Sequence, residues 1–209
     1  MSIIGFSEYL AEKLAESKDQ ENREISRMVL ESSKNLFHLL ENLLEWASAK
    51  RRNLKPRKER LDLHKMISKA IKTNQLSAES KGIRLKNDCP QNTRALGDKN
   101  MIQTVLRNLL SNAIKFSREE SVVTVTVQEE HGGYVVSVSD TGIGMTDEEQ
   151  QKILSKSGGY RKTGTKGEKG IGFGLMLSQD FIRENGGRLW VQSEKDQGST
   201  FYFSLGKAS

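Results

Sequence analysis

Asn108, Asn112 and Lys115 fall four and then three residues apart in NLLSNAIKF, Asn108 to Phe116. On a helix that spacing puts all three on one stripe. Two carboxamide oxygens and an ammonium suit a hydrated Mg²⁺ and the phosphates it bridges, because Mg²⁺ keeps waters and takes few protein oxygens. In DTGIGM, Asp140 to Met145, a carboxylate ends an apolar run and G-x-G follows. The glycines let the backbone approach a flat ligand. A buried aspartate accepts a hydrogen bond from an exocyclic amine, which selects adenine over guanine. A third cluster, GTKGEKGIGFGL from Gly164 to Leu175, brings Gly167, Gly170, Gly172 and Gly174 up to a helix. Bare amides at a helix N-terminus cradle phosphate. The run is not a Walker A loop, since no G-K-[ST] follows at the required spacing, nor a Rossmann turn, since no strand leads directly into it. Taken singly, the clusters also read as a solvated polar stripe, a strand-ending Asx turn and a plain glycine loop.

The elements that would position these residues follow from periodicity. Leu61 to Gly82 reads as a helix stopped by glycine. Ile83–Asn87 and Arg94–Gly97 are short strand candidates. Asp98 caps the next helix, whose Ile102, Val105, Leu106, Leu109, Leu110, Ala113 and Ile114 share one face. Val122–Val127 alternates with period two, turns at His131-Gly132-Gly133, and returns as Tyr134–Asp140. A helix runs to Glu184, Asn185-Gly186-Gly187 stops it, and Leu189–Ser193 with Thr200–Leu205 close a hairpin. Strands and helices mix without a βαβ rhythm, so the expected class is α+β: one sheet with helices on one face, a two-layer sandwich.

Upstream, apolar residues at Ile25, Val29, Leu36, Leu39, Leu43 and Trp46 alternate by four and three, with Ser32 filling the one gap. Ile3, Ile4, Phe6, Leu10 and Leu14 form a shorter face, and SKDQEN (Ser17 to Asn22) separates the two. This predicts a helical hairpin with too little core to stand alone. It should pair with a second copy as a four-helix bundle, or else fold back on the rest of the chain.

The expected domains are therefore a hairpin at 1–50, a linker at 51–60 and an α+β domain at 61–209. The run from Lys50 to Arg60, which takes in the linker, holds seven basic residues and one acidic, and so equals the whole net charge of +6. It has no aromatic to stack on bases, and Pro56 breaks any helix, so it reads as a boundary and not as a nucleic-acid site. At 209 residues with 35% hydrophobic and 29% charged, the chain is globular, not disordered. It has no apolar run long enough to cross a bilayer and no basic start of a signal peptide. One cysteine, Cys89, excludes an internal disulfide and a cysteine metal cluster and fits a reducing compartment.

In this order and spacing the clusters resemble the ATP-binding domain of the GHKL superfamily, in its bacterial sensor histidine kinase branch. NLLSNAIKF is similar to the N box, DTGIGM to the G1 box, GEKGIGFGLML to the G2 box, and QGSTFYFSL (Gln197 to Leu205) to the final strand. FIRENGGRLWVQSE, Phe181 to Glu194, resembles the closing helix and hairpin. The likeness covers about residues 61–207, and the hairpin resembles part of the dimerisation and phosphotransfer domain.

The resemblance implies that Asn112 holds Mg²⁺ with Asn108 assisting, that Lys115 contacts phosphate, and that Phe116 lies near the nucleotide. It gives Asp140 the adenine amine, has Gly142 and Gly144 shape the pocket, and adds a polar contact from Thr200. Gly170, Gly172 and Gly174 would wrap the phosphates. Thr146 to Lys169 would be the ATP lid, with six basic residues against one acidic from Gln151 to Lys169. Two departures stand out. Ile171 and Phe173 replace the commoner small residue and leucine of the G2 loop, and Tyr160 is the only aromatic in a blurred F box.

The implied reaction moves the γ-phosphate of Mg·ATP to a histidine on a dimer-related helix, then to a response-regulator aspartate. The implied setting is cytoplasmic, with any membrane attachment in other parts of a parent protein. No histidine here carries the family's H-[ED]-x-x-x-P: His38, His64 and His131 all lack the acid and proline. MSIIGFSEYL resembles the segment just downstream of that motif. The expectation is that the acceptor lies upstream of Met1 and that this chain alone does not autophosphorylate. The rivals are a GHKL-type ATPase, a nucleotide-bound dimer that only docks a regulator, and an anti-sigma type serine kinase. The first needs a water-activating carboxylate where Asn108 stands.

Overall fold

The computed structural model describes residues 3–15, 22, 25, 26, 29, 30, 33, 56–153, 162–166, 168 and 173–208. It divides into two compact units, Met1–Leu54 and Lys55–Ser209.

In the first unit, helix α1 spans Ile3–Ala15. Ser7 is buried, and its hydroxyl lies 3.0 Å from that of Ser33, whose Oγ also lies 2.8 Å from the Val29 carbonyl. Ser33, beyond the polar break, therefore lies alongside α1. Leu36, Leu39, Leu43 and Trp46 of the expected seam lie outside the described residues, as does His38.

The second unit is built on β1 (Lys58–Asp62), α2 (Leu63–Glu79), β2 (Arg84–Asp88), β3 (Arg94–Asp98), α3 (Lys99–Phe116), β4 (Val122–Glu130), β5 (Gly133–Asp140), α4 (Asp147–Ile153), α5 (Phe173–Glu184), β6 (Leu189–Glu194) and β7 (Gly198–Lys207). The strands form one sheet in the order β1-β3-β7-β5-β4-β2, with β6 also paired to β7. β7 meets β5 along one edge and shares its other edge between β6 and β3. Only β2 and β4 run parallel.

Period-two alternation decides which face is covered. Val123, Val125, Val136, Val138, Phe201, Phe203 and Leu205 are buried, whereas Trp190 stacks on Tyr202 on the half-exposed face. α3 packs over this buried face between α2 and α5. Its Ile102, Val105, Leu106, Leu109 and Leu110 are completely inaccessible. The two-layer α+β sandwich follows.

One boundary differs from the sequence reading. Lys58–Asp62, expected as the end of the linker and the start of a helix, is strand β1, paired antiparallel to β3 from Lys58↔Asp98 to Asp62↔Arg94. Its register partner is more than thirty residues away, and three of its five side chains are exposed and charged, so local pattern is silent. Asp62 ends the strand, pairs with Arg94, and caps α2 by accepting from the Lys65 amide at 3.1 Å.

α3 is fixed at its start by a carboxylate and a carboxamide. The Asp98 carboxylate accepts from the Asn100 and Met101 amides at 3.0 and 3.1 Å. The Asp98 amide in turn donates to Oδ1 of buried Asn185 at 2.7 Å, and Asn185 Nδ2 donates to the Phe181 carbonyl at 2.8 Å. Asn185 thus ends α5 and locates the start of α3 together. Asn185→Ala leaves the half-buried Asp98 amide without this partner, and should cost about 1–3 kcal/mol in urea unfolding. A variant with an unchanged midpoint would show that the bond contributes nothing.

Candidate functional site

The stripe expected on α3 is present. Asn108, Asn112, Lys115 and Phe116 are all half-buried on that helix. Asn108 is partly committed to packing. Its Nδ2 donates to the Gly174 carbonyl at 3.2 Å and to Ser178 Oγ at 3.4 Å, bracing the first turn of α5. A Cβ on Gly174 would sit 3.4 Å from the Asn108 amide carbon. No described residue hydrogen-bonds the side chain of Asn112, one turn later. The Lys115 ammonium lies 5.0 Å from the Phe116 ring centre. Burial lowers the Lys115 pKa, nearby Glu168 opposes that shift, and Lys81 adds to it. A cation held this way gains most from an incoming anion.

Asp140 closes β5 and is 7% exposed. Its Oδ1 accepts from the Gly142 amide at 2.9 Å. Burial raises its pKa from 3.8 to about 6, and the backbone bonds from Gly142 and Ser199 only partly offset this. A carboxylate so poorly solvated is poised to accept from a buried donor.

The glycines after Asp140 have a reason that the sequence does not display. A Cβ on Gly142 would lie 2.1 Å from the Phe116 carbonyl oxygen, and one on Gly144 would lie 1.9 Å from that of Glu194. Gly144 also takes φ +58°. The G-x-G thus lets the loop pass the chain's own backbone, where a ligand was expected to demand it. The Ile143 amide, between the glycines, donates to the Phe116 carbonyl at 3.1 Å. That bond joins the end of α3, which carries the stripe, to the Asp140 loop.

Thr200 stands beside Asp140's neighbour in the strand pairing. It pairs with Ser139, and their hydroxyls lie 2.8 Å apart. Opposite residues in an antiparallel pair share a face, and the next pair takes the other face. The partner of Asp140 is Ser199, which is buried. Strand register decides which of the two hydroxyl residues stands opposite Asp140. Of the phosphate-loop glycines, Gly174 lies in the first turn of α5, while Gly170 and Gly172 lie outside the described residues. The expected lid is described as Thr146–Ile153, Lys162–Lys166 and Glu168. Within it the Lys162 ammonium pairs with Glu149 at 2.9 Å and donates to the Gly144 carbonyl at 3.1 Å.

The sandwich and this site define an ATP-binding domain of the histidine kinase type. The chain belongs to the histidine kinase-, DNA gyrase B- and HSP90-like ATPase family, which it matches over residues 97–209. Among curated relatives it is 28% identical over 204 residues to the sensor-like histidine kinase SenX3 of Mycobacterium tuberculosis, covering 97% of this chain. It spans about half, 50%, of that relative's length. The catalytic domain of histidine kinase ThkA superposes with a TM-score of 0.62 at 25% identity, covering 72% of this chain and 96% of that one. ThkA in complex with the response regulator protein TrrA matches with a TM-score of 0.69 at 20% identity, over 99% of this chain and 57% of ThkA. Full-length ShkA in complex with AMPPNP gives a TM-score of 0.72 at 23% identity, over 99% of this chain and 43% of ShkA. No helix among the described residues is long and apolar enough to cross a membrane.

The raised pKa of Asp140 gives a signed prediction. The folded state holds this proton more tightly than the unfolded state. The group's contribution is therefore complete below the unfolded pKa of 3.8 and is lost as pH rises through about 6. Asp140→Asn keeps an acceptor for Gly142 and removes the buried charge. At about pH 8 it should stabilise the ligand-free protein by about 1–3 kcal/mol, with the gain gone by about pH 4. Thermal unfolding that shows the same gain at both pH values would contradict the burial argument.

Proposed function

We propose that this chain is the ATP-binding catalytic part of a sensor histidine kinase. It would move the γ-phosphate of ATP to a histidine imidazole, from which a response-regulator aspartate receives it. The observation that carries this reading is the Ile143–Phe116 bond, which unites a buried, charge-starved Asp140 with Asn112 and Lys115. Asp140 would accept from the adenine amine, with buried Ser199 opposite it on β7, and Thr200 would add a polar contact. Lys115 would face the phosphates. The ShkA complex with AMPPNP and the ThkA complex with TrrA support the nucleotide and the regulator as partners.

The side chains fit a Mg²⁺ ion. Asn112 offers an uncommitted carboxamide, and Asn108 spends its nitrogen on α5 while its oxygen remains for an assisting role. When bound, the ion neutralises phosphate charge. The chain's own part in transfer is positioning. The bond from the γ-phosphorus to the bridging oxygen breaks, a P–N bond forms in line with it, and ADP leaves. Hydrolysis is disfavoured because the residue one turn before Asn112 is Asn108, which has no basic carboxylate and is held by Gly174.

Calorimetry with ATP tests this. Asn112→Ala should weaken binding about tenfold with Mg²⁺ and leave metal-free binding nearly unchanged. Asp140→Asn should weaken both by about ten- to a hundredfold. Equal affinity of wild type and Asp140→Asn would remove the adenine assignment.

We also propose that the first unit pairs two chains. Among the described residues, Tyr9, Leu10, Ile25 and Val29 expose large apolar side chains there, and only Leu76 and Leu96 do so elsewhere. Ile25→Glu with Val29→Glu should give a monomer by light scattering that still binds ATP. A monomeric unmutated chain at high concentration would contradict the pairing.

A further inference from the structure

Lys81 sits in the turn between α2 and β2, and its side chain is 5% exposed. A lysine this deep needs partners for its charge and for every proton. Lys81 has them. Nζ donates to the Ile114 and Lys115 carbonyls at 3.1 and 3.0 Å and to Thr165 Oγ1 at 2.9 Å, and it pairs with Glu168 Oε1 at 2.6 Å. The first two are last-turn carbonyls of α3, where a helix has no backbone donors left and favours a cation. The other two belong to the segment that precedes the glycine run.

That segment is tied down at several further points. The Thr165 amide donates to the Lys115 carbonyl at 3.1 Å, and the Thr165 hydroxyl donates to the Ser117 carbonyl at 2.7 Å. The Gly164 amide donates to the Glu168 carbonyl at 2.8 Å, and the Lys166 amide to Glu168 Oε2 at 2.8 Å. Lys166 Nζ reaches Glu119 at 2.7 Å. Burial works against the Glu168 carboxylate, but the Lys81 bond and the amide bonds prevail and hold its pKa below the usual range. The ammonium of Lys115 feels both Glu168 and Lys81.

We propose that Lys81 is a positioning residue for the nucleotide phosphates: it clamps Gly164–Lys166 and Glu168 to the last turn of α3, on which Lys115 stands. The proposal rests on the nucleotide reading above and adds a residue that touches no part of the nucleotide. Lys81 acts through Glu168 and Thr165 on one side and through the α3 carbonyls on the other. It thereby sets the spacing between the phosphate-facing lysine and the chain that leads to α5. The adenine end, at Asp140, is independent of it.

The variants are Glu168→Gln, Lys81→Met and the pair together. Glu168 is at the surface edge of the clamp, so Glu168→Gln tests it even if Lys81→Met fails to fold. Hydrogen exchange on the nucleotide-free protein reads the clamp directly. The amides of Gly164, Thr165 and Lys166 should exchange about tenfold or more faster in Glu168→Gln, while the α3 core amides stay unchanged. ATP affinity should fall about tenfold in Glu168→Gln and adenosine affinity should not change. Where Lys81→Met folds, the double variant should bind ATP no worse than Lys81→Met alone. Unchanged exchange in Glu168→Gln, or equal losses for adenosine and ATP, would overturn the proposal. A wild-type chain that binds neither ligand would instead defeat the nucleotide reading, and this proposal with it.

Discussion

The C-terminal turn of α3 is the constraint on which the site depends. A helix must end with carbonyls that its own backbone does not satisfy, and burial makes their satisfaction obligatory. Here each orphan is used to attach something. Ala113 takes the Ser117 amide, Ile114 takes the Lys81 ammonium, Lys115 takes Lys81 and the Thr165 amide, and Phe116 takes the Ile143 amide. One helix end thus gathers the turn after α2, the segment before α5 and the Asp140 loop. The apolar stripe from Ile102 to Ile114 fixes that end by burying the rest of α3 against the sheet and its two neighbours. Packing decides where the helix lies, and unsatisfied carbonyls decide what meets its tip.

Asp140 shows the opposite economy. Two backbone donors do not compensate its burial, so its ionised form lowers the stability of the empty fold. A fold selected for stability alone would put a neutral residue there. The backbone round it is nevertheless strongly determined. Gly142 and Gly144 pass within contact distance of carbonyls at Phe116 and Glu194, and the Asp196 amide donates to the Ile143 carbonyl at 2.8 Å. A rigid loop carries an under-solvated charge, which is how a binding group is kept ready at the expense of stability.

What was legible in the sequence was whatever has a local period or a local signal. The buried face of α3, the Asp98 cap, and the turn at His131-Gly132 with φ of +50° and +78° were all readable from neighbouring residues. What was not legible depends on partners far away in the chain. β1 is charged and short and exists because β3 pairs with it. Ser199 and Thr200 are both small and hydroxylic, and only the register against β5 sets Ser199 opposite Asp140. The G-x-G motif was visible, but its steric reason lies at Phe116 and Glu194, outside the motif. Lys81 sits in ESKGI, beside a glycine and in a charged stretch, where a lysine gives no sign of burial.

Asn108 bears on transfer against hydrolysis under the proposed function. To activate water, the position one turn before Asn112 needs a group that accepts a proton. A carboxamide has no such basicity, and its nitrogen here is spent on Gly174 and Ser178. The same bonds hold the first turn of α5 against α3, and Gly174 is where a side chain would press on that amide. A carboxylate at 108 would lack the donor that now meets the Gly174 carbonyl, and it would place a negative charge beside that half-buried oxygen. The residue that braces α5 here therefore lacks the basicity that a hydrolase's general base needs. The packing of these two helices and the choice of acceptor follow from one side chain.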